Sequence, residues 1–198
     1  MFHPTRKCDI IYIMNIFALS NDAKEAAAWH NDRHTVKMIV EYAQLLSTAH
    51  RVLDGNFVIL PMRTKTGKIA NRKIWQFDQD DPRCAVLYKA THINHPSAIW
   101  ARQSEKNYLW LYELWVYLIE EWRKRYGHNK AHKCESLIHL LKYPPQHIPK
   151  TDKTPVALAM PDEYKISDDP VLCYRQYYKL GKAHLAKWRN TDAPPWFY

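Results

Sequence analysis

Tyr108-Leu109-Trp110-Leu111-Tyr112-Glu113-Leu114-Trp115-Val116-Tyr117-Leu118-Ile119 is the stretch on which the architecture turns. Eleven of its twelve residues are apolar or aromatic, so a helix built from them has no face to give to water and must lie at the centre, packed on all sides. Worked outward, that helix is expected from Ser97 to Tyr126. Pro96 fixes its entry, Ser97 caps it and Gly127 stops it.

Upstream, Asp22 and Glu25 have the spacing of a capping box before an Ala-rich helical stretch. A second cap at Asn31 or Asp32 restarts or bends that helix, which then runs to about Leu53 and ends at Gly55. Phe57-Val58-Ile59-Leu60 and Lys73-Ile74-Trp75-Gln76-Phe77 flank Thr64-Lys65-Thr66-Gly67, the pattern of a hairpin with a basic tip. Asp78 to Pro82 reads as a polar loop, residues 84–90 as a short helix and residues 128–142 as another. Pro144, Pro145, Pro149 and Pro155 give an irregular crossing, and Asp169-Pro170 opens a last helix through about Trp188. The expected fold is mainly α: a compact single-domain helical protein with a small β-hairpin insertion around residues 57–77. Residues 1–13 form an N-terminal appendage and 14–198 the helical domain, with Met1 and Met14 both open as the true start.

The 198 residues, 46% hydrophobic and 25% charged, suit one domain, two at most. Twenty-nine Lys and Arg against 20 acids give a net charge of +9, which favours polyanionic partners such as nucleic acid or nucleotides. No apolar run approaches the roughly 20 residues of a membrane helix, so the expectation is a soluble protein without a membrane partner. Cys8, Cys84, Cys134 and Cys173 stand far apart with no C-x-x-C pair, as reduced thiols in a cytoplasm would. There is no Walker loop, G-x-G-x-x-G, G-x-S-x-G or zinc-finger spacing, which removes most of the case for triphosphate hydrolysis, dinucleotide redox chemistry and serine hydrolysis.

Two constellations could carry chemistry. At about 100° per residue, His30, His34, Lys37, Glu41, Gln44 and Thr48 fall within roughly 40° of one line on a helix, with Asp32 nearby. Such a stripe is either a solvated face with i,i+4 ion pairs or the lining of a cleft. In a cleft, His34 and Glu41 exchange protons and Lys37 offers a cation or an amine nucleophile. The second is His92-Ile93-Asn94-His95-Pro96-Ser97-Ala98-Ile99-Trp100-Ala101-Arg102. Free amides at that helix start, with His95 and Arg102, suit a phosphate, while Ser104 and Asn107 interrupt an apolar face that also carries Trp100 and need polar partners. His30 and His34, with His92, His95 or Asp32, could share a metal, but no H-E-x-x-H or carboxylate cluster supports it; neither metal nor cofactor is expected. A basic, aromatic surface completes the picture. Residues 123–150 carry seven Lys and Arg against one Glu, and the segment Tyr174 to His184 adds Tyr177 and Lys182, suited to phosphates and stacked bases.

His30-x-Asp32-Arg33-His34-x-Val36-Lys37-Met38 with Glu41, Gln44 and Leu45 is similar to a family of small phage and phage-derived proteins of unassigned function. The likeness continues through His95-Pro96-Ser97-Ala98-Ile99-Trp100-Ala101-Arg102, Met160-Pro161-Asp162-Glu163-Tyr164 and Pro195-Trp196-Phe197. It covers most of the chain outside residues 1–13 and the hairpin, and implies a viral or prophage setting, hence a host cytoplasm, without an activity. The order of elements also resembles, more faintly, the phage pyrimidine-dimer DNA glycosylase/lyase. That family attacks the sugar with the amine of a small residue exposed by Met removal, assisted by a Glu. Here Phe2 follows Met1 and Asn15 follows Met14, so the imine chemistry does not transfer, and Glu41 corresponds only by rough position.

The leading expectation is a DNA-binding protein, DNA before RNA, that acts on a nucleobase or its glycosidic bond. His34, Lys37 and Glu41 would be catalytic. His30, Asp32, Gln44, His95, Trp100, Arg102, Asn107, Tyr177 and Lys182 would hold substrate, with Trp100 or Tyr108 stacking an extruded base. The alternatives are a small nucleotide- or nucleoside-processing enzyme and a non-catalytic module that binds nucleic acid or a host protein. The oligomeric state is open.

Overall fold

The computed structural model describes residues 14–127 and 129–198; the expected appendage, residues 1–13, lies outside the described residues. Among the described residues 49% are helical, with one two-stranded antiparallel hairpin. Helix α1 (Ala23–Ala28) starts where the Asp22 carboxylate accepts the Glu25 amide at 2.7 Å. Trp29 to Asn31 break the chain, and α2 (Asp32–Asp54) restarts under Asn31, whose side-chain oxygen accepts the His34 amide at 2.9 Å. Helix α2 ends at Gly55, where a side chain would lie 2.6 Å from the Arg51 carbonyl and 2.9 Å from that of Gln76. Only a residue without Cβ lets the hairpin leave the helix so abruptly.

Strands β1 (Asn56–Arg63) and β2 (Ile69–Gln76) pair from Asn56↔Gln76 to Arg63↔Ile69, turning at Gly67 with φ +83°. They stand out from the body almost wholly exposed. Their root is Phe77, buried beneath the guanidiniums of Arg83 at 4.4 Å and Arg51 at 5.0 Å. Helix α3 (Arg83–Val86) is a single turn.

The long helix expected from Ser97 to Tyr126 is two helices, α4 (Pro96–Gln103) and α5 (Glu105–Tyr126). Ser104 is extended between them, at φ −149°. Its hydroxyl accepts the Lys106 amide at 3.1 Å and faces the carbonyls of Thr151 and Asp152 at 2.7 and 2.8 Å. Nor does Ser97 cap α4. His95 does so, its Nδ1 accepting the Ser97 amide at 3.2 Å. Gly127, at φ +62°, stops α5 as expected.

Two further helices are shorter than expected. Residues 128–142 contain a 3-10 turn, Lys133–Leu137, and one α turn, α6 (Ile138–Leu141). The last helix, α7 (Pro170–Gln176), passes into a π turn at Tyr177–Gly181 and a 3-10 turn at Ala183–Leu185, so it does not reach Trp188. Gly181 is wedged against the rings of Tyr177 and Tyr164, where a Cβ would have no room.

Helices α2 and α5 form the centre, packed together with α4 alongside both and α1 on α5. Met38, Ile39, Tyr42, Leu45 and Leu46 of α2 and Leu111, Leu114, Trp115 and Leu118 of α5 belong to one continuous core. The Trp115 indole donates to the Ile39 carbonyl at 2.9 Å. Among the described residues no helix is long and apolar enough to cross a membrane.

Candidate functional site

The polar stripe on α2 is not a solvated face. His34 is 4% exposed and Thr48 fully buried, and the Glu41 side chain is 12% exposed. Only Lys37, at 49%, reaches well into solvent. The stripe is covered at one end by the C-terminal π turn and at the other by residues 84–95. Arg51 donates to the carbonyls of Tyr88, Cys84 and Leu87, and Thr48 accepts the Thr91 amide at 3.2 Å.

His30 is not on the stripe, because the chain breaks before α2 begins. It is fully buried; its Nδ1 donates to the Ala26 carbonyl at 2.7 Å and its Nε2 meets the Tyr42 hydroxyl at 2.8 Å. His34 stacks on Phe17, centroids 4.2 Å apart, and its Nδ1 lies 2.6 Å from the Tyr178 hydroxyl. Burial pulls the imidazole of His30 down to about 3. Burial, then the fields of His30, Lys182, Lys37 and Arg33, pull that of His34 down to about 2. Both rings stay neutral at physiological pH. His34 is too weak a base for the proton-transfer role expected of it. The two rings do not share one helical face, and among the described residues no three His, Cys, Asp or Glu side chains gather as a metal-ligand set.

Glu41 is placed differently. One carboxylate oxygen pairs with Lys37 Nζ at 2.9 Å, while the other, Oε2, is buried with no partner among the described residues. Burial raises its pKa, and Lys37 and then His92 partly offset that rise. His92 is therefore within electrostatic reach, and it holds a left-handed backbone, φ +49°, of the kind that concentrates at functional loops. Three residues on, His95 caps α4, its basicity lowered by burial and by His92. The two motifs met in the sequence lie on neighbouring elements, since α4 packs against α2, with His92 within electrostatic reach of Glu41.

Other expected site residues are occupied elsewhere. Trp100 is buried, its indole donating to the Thr154 carbonyl at 3.2 Å. The Tyr108 hydroxyl bridges His50 at 2.9 Å and the Leu141 carbonyl at 2.9 Å. Neither ring can stack a base. Asn107 is spent on Trp100 and Thr154. Asp32 pairs with Arg125 at 3.3 Å and accepts the Arg189 amide. Gln44 is half-buried one turn beyond Glu41. Ser97 Oγ and Arg102 Nη1 are buried without partners among the described residues, but five residues apart they diverge by about 140° around α4. Arg102 does not complete an anion site at the helix start. Tyr177 is buried beneath Lys182, whose amine lies 4.9 Å from the ring. Lys182, Lys37 and Arg33 all bear electrostatically on His34.

The residues that hold this region were not legible as a set. Phe17, Tyr42, Tyr174 and Tyr178 enclose the histidines, and the Tyr174 hydroxyl donates to Asn15 at 2.8 Å. Tyr174 and Tyr178 have the i,i+4 spacing of one face, a signal in the chain; Phe17 and Asn15 carry none. No family model, curated protein or solved structure matches the chain.

Proposed function

We propose that this protein binds nucleic acid, DNA before RNA, and acts on a nucleobase or its glycosidic bond, with Glu41 as the proton-transferring group. The observation that carries this reading is the Glu41 carboxylate, largely withdrawn from water, fixed on one side by Lys37 and unpartnered on the other. A buried acceptor left without a donor costs stability, and a carboxylate whose pKa is raised by burial is suited to take and return a proton near neutral pH. In the hydrolytic form, Glu41 accepts a proton from water as the water oxygen bonds the sugar carbon, and the departing base leaves with the electron pair of the broken bond. Lys37 balances the charge. Arg33, Lys37 and Lys182 supply the phosphate-binding edge, and the overall charge of +9 favours a polyanion. The faint resemblance of the element order to the pyrimidine-dimer glycosylase/lyase points to the same class, without its imine chemistry.

Incubation with duplexes bearing abasic sites and a panel of modified bases tests the reading, with strand cleavage and base release as readouts. Wild type is expected to turn over at least one substrate, and Glu41→Gln to lose at least 100-fold while keeping its unfolding midpoint, about the size of a lost general base. Turnover of mononucleotides alone would select the nucleotide-processing reading. Salt-sensitive binding without turnover, unchanged in Glu41→Gln, would select the non-catalytic one.

A further inference from the structure

The hairpin takes no part in the site above, yet it is the most exposed apolar surface among the described residues. Phe57, Ile59, Leu60, Met62 and Ile69 are all open to solvent, Ile69 at 73%. A lone two-stranded hairpin is marginal in water, and an uncovered strand pair invites a partner. Its charge says which kind. From Asn56 to Phe77 there are five basic residues, Arg63, Lys65, Lys68, Arg72 and Lys73, and no acid. They lie at the tip and along both faces. The register puts Lys73 opposite Ile59 on one face and Arg72 opposite Leu60 on the other.

We infer that this hairpin is an arm that enters the groove of duplex DNA. Two strands about 4.8 Å apart with their side chains fit a major groove about 12 Å wide. Eight residues at about 3.3 Å each give an arm of about 26 Å, long enough to follow the groove over several base pairs. Basic side chains on both faces suit a slot walled by phosphates on each side. The exposed Ile59, Leu60 and Met62 suit thymine methyls and sugar surfaces. A second copy is a poor occupant, because pairing two such arms would set five positive charges against five.

The inference rests on the nucleic-acid reading above and goes beyond it by naming a contact remote from Glu41. The test is fluorescence anisotropy with a labelled duplex DNA of about three helical turns, across salt concentrations from about 50 to 200 mM. It compares wild type with a Lys65→Ala, Lys68→Ala, Arg72→Ala triple variant. These side chains make no hydrogen bond or ion pair among the described residues, so the unfolding midpoint should hold. The variant is expected to bind at least tenfold more weakly at the higher salt. Its plot of log affinity against log salt should be shallower by about 2 to 3, roughly one for each phosphate contact removed. Wild-type affinity and slope in the variant would overturn the arm while leaving nucleic-acid binding intact. Failure of wild type to bind any duplex at low salt would overturn both. A dimer in light scattering that Ile69→Asp dissolves, with DNA binding unaffected, would overturn the arm in favour of self-association.

Discussion

Glu41 and His34 sit two turns apart on one line of α2, and burial moves them in opposite directions. A carboxylate loses its charge on desolvation and an imidazole loses its proton, so the same dry surroundings make Glu41 a better base and His34 a worse one. Lys37 then sets how far Glu41 is displaced. A carboxyl-carbon NMR titration of labelled protein should place the Glu41 inflection above that of an ordinary glutamate, about 4.3. In Lys37→Met the inflection should climb further, because the cation that favours the ionised form is gone. An inflection that stays put would mean that the 2.9 Å pair contributes nothing in solution.

The elements show why part of the fold could be read from the chain and part could not. The hairpin was legible because two runs rich in β-branched and aromatic residues, Phe57-Val58-Ile59-Leu60 and Lys73-Ile74-Trp75-Gln76-Phe77, flank a Thr-Lys-Thr-Gly turn. The division of the long helix was not. Ser104 lies amid residues that favour helix on both sides, and what pulls it out of helical geometry is a pair of carbonyls from Thr151 and Asp152, almost fifty residues away. Histidine as a helix cap escaped for a related reason. Nδ1 stands where an asparagine oxygen would, but it serves as acceptor only in one tautomer. The stripe lies on α2 from His34 onward but does not include His30, which precedes the helix, because spacing arguments assume an unbroken helix. Ser104→Ala should therefore cost about 1–2 kcal/mol in urea unfolding, since it removes the cap of α5 and strands the two carbonyls together. A change below about 0.3 kcal/mol would show that the break is set by the backbone alone.

At the scale of the molecule, one guanidinium ties the ends of the core. Arg125, fully buried near the end of α5, donates to the carbonyls of His30 and Ala28 at 2.7 Å each and pairs with Glu121 at 3.1 Å and Asp32 at 3.3 Å. Arg125→Ala should cost about 3–5 kcal/mol, the usual penalty for breaking a buried ion pair from one side. Lysine should rescue little, because a single ammonium cannot span the four acceptors. Acid should also unfold the protein early. Burial holds His30, His34 and His50 neutral down to about 3, 2 and 4, whereas in the unfolded chain they take up protons near pH 6.5. A lowered folded-state value means stability present above that pH and lost below it. The loss should be about 1.4 kcal/mol per pH unit for each ring, or about 4 for the three, between roughly pH 6 and 5. Urea midpoints measured at pH 7, 6 and 5 check this, and a flat response would place the rings in contact with water.

The segment Lys187–Asn190 binds back onto the opposite end of the chain. The Lys187 carbonyl accepts the first amide of α2 at 2.8 Å, Trp188 donates to Trp29, the Arg189 amide meets Asp32, and Asn190 donates to the carbonyl of Arg125. The seat of α2, and with it the orientation of Lys37 and Glu41, is thus completed by residues that leave the ribosome long after the helix itself. A nascent chain halted at residue 180 would carry every candidate catalytic side chain and still lack the clasp that aligns them.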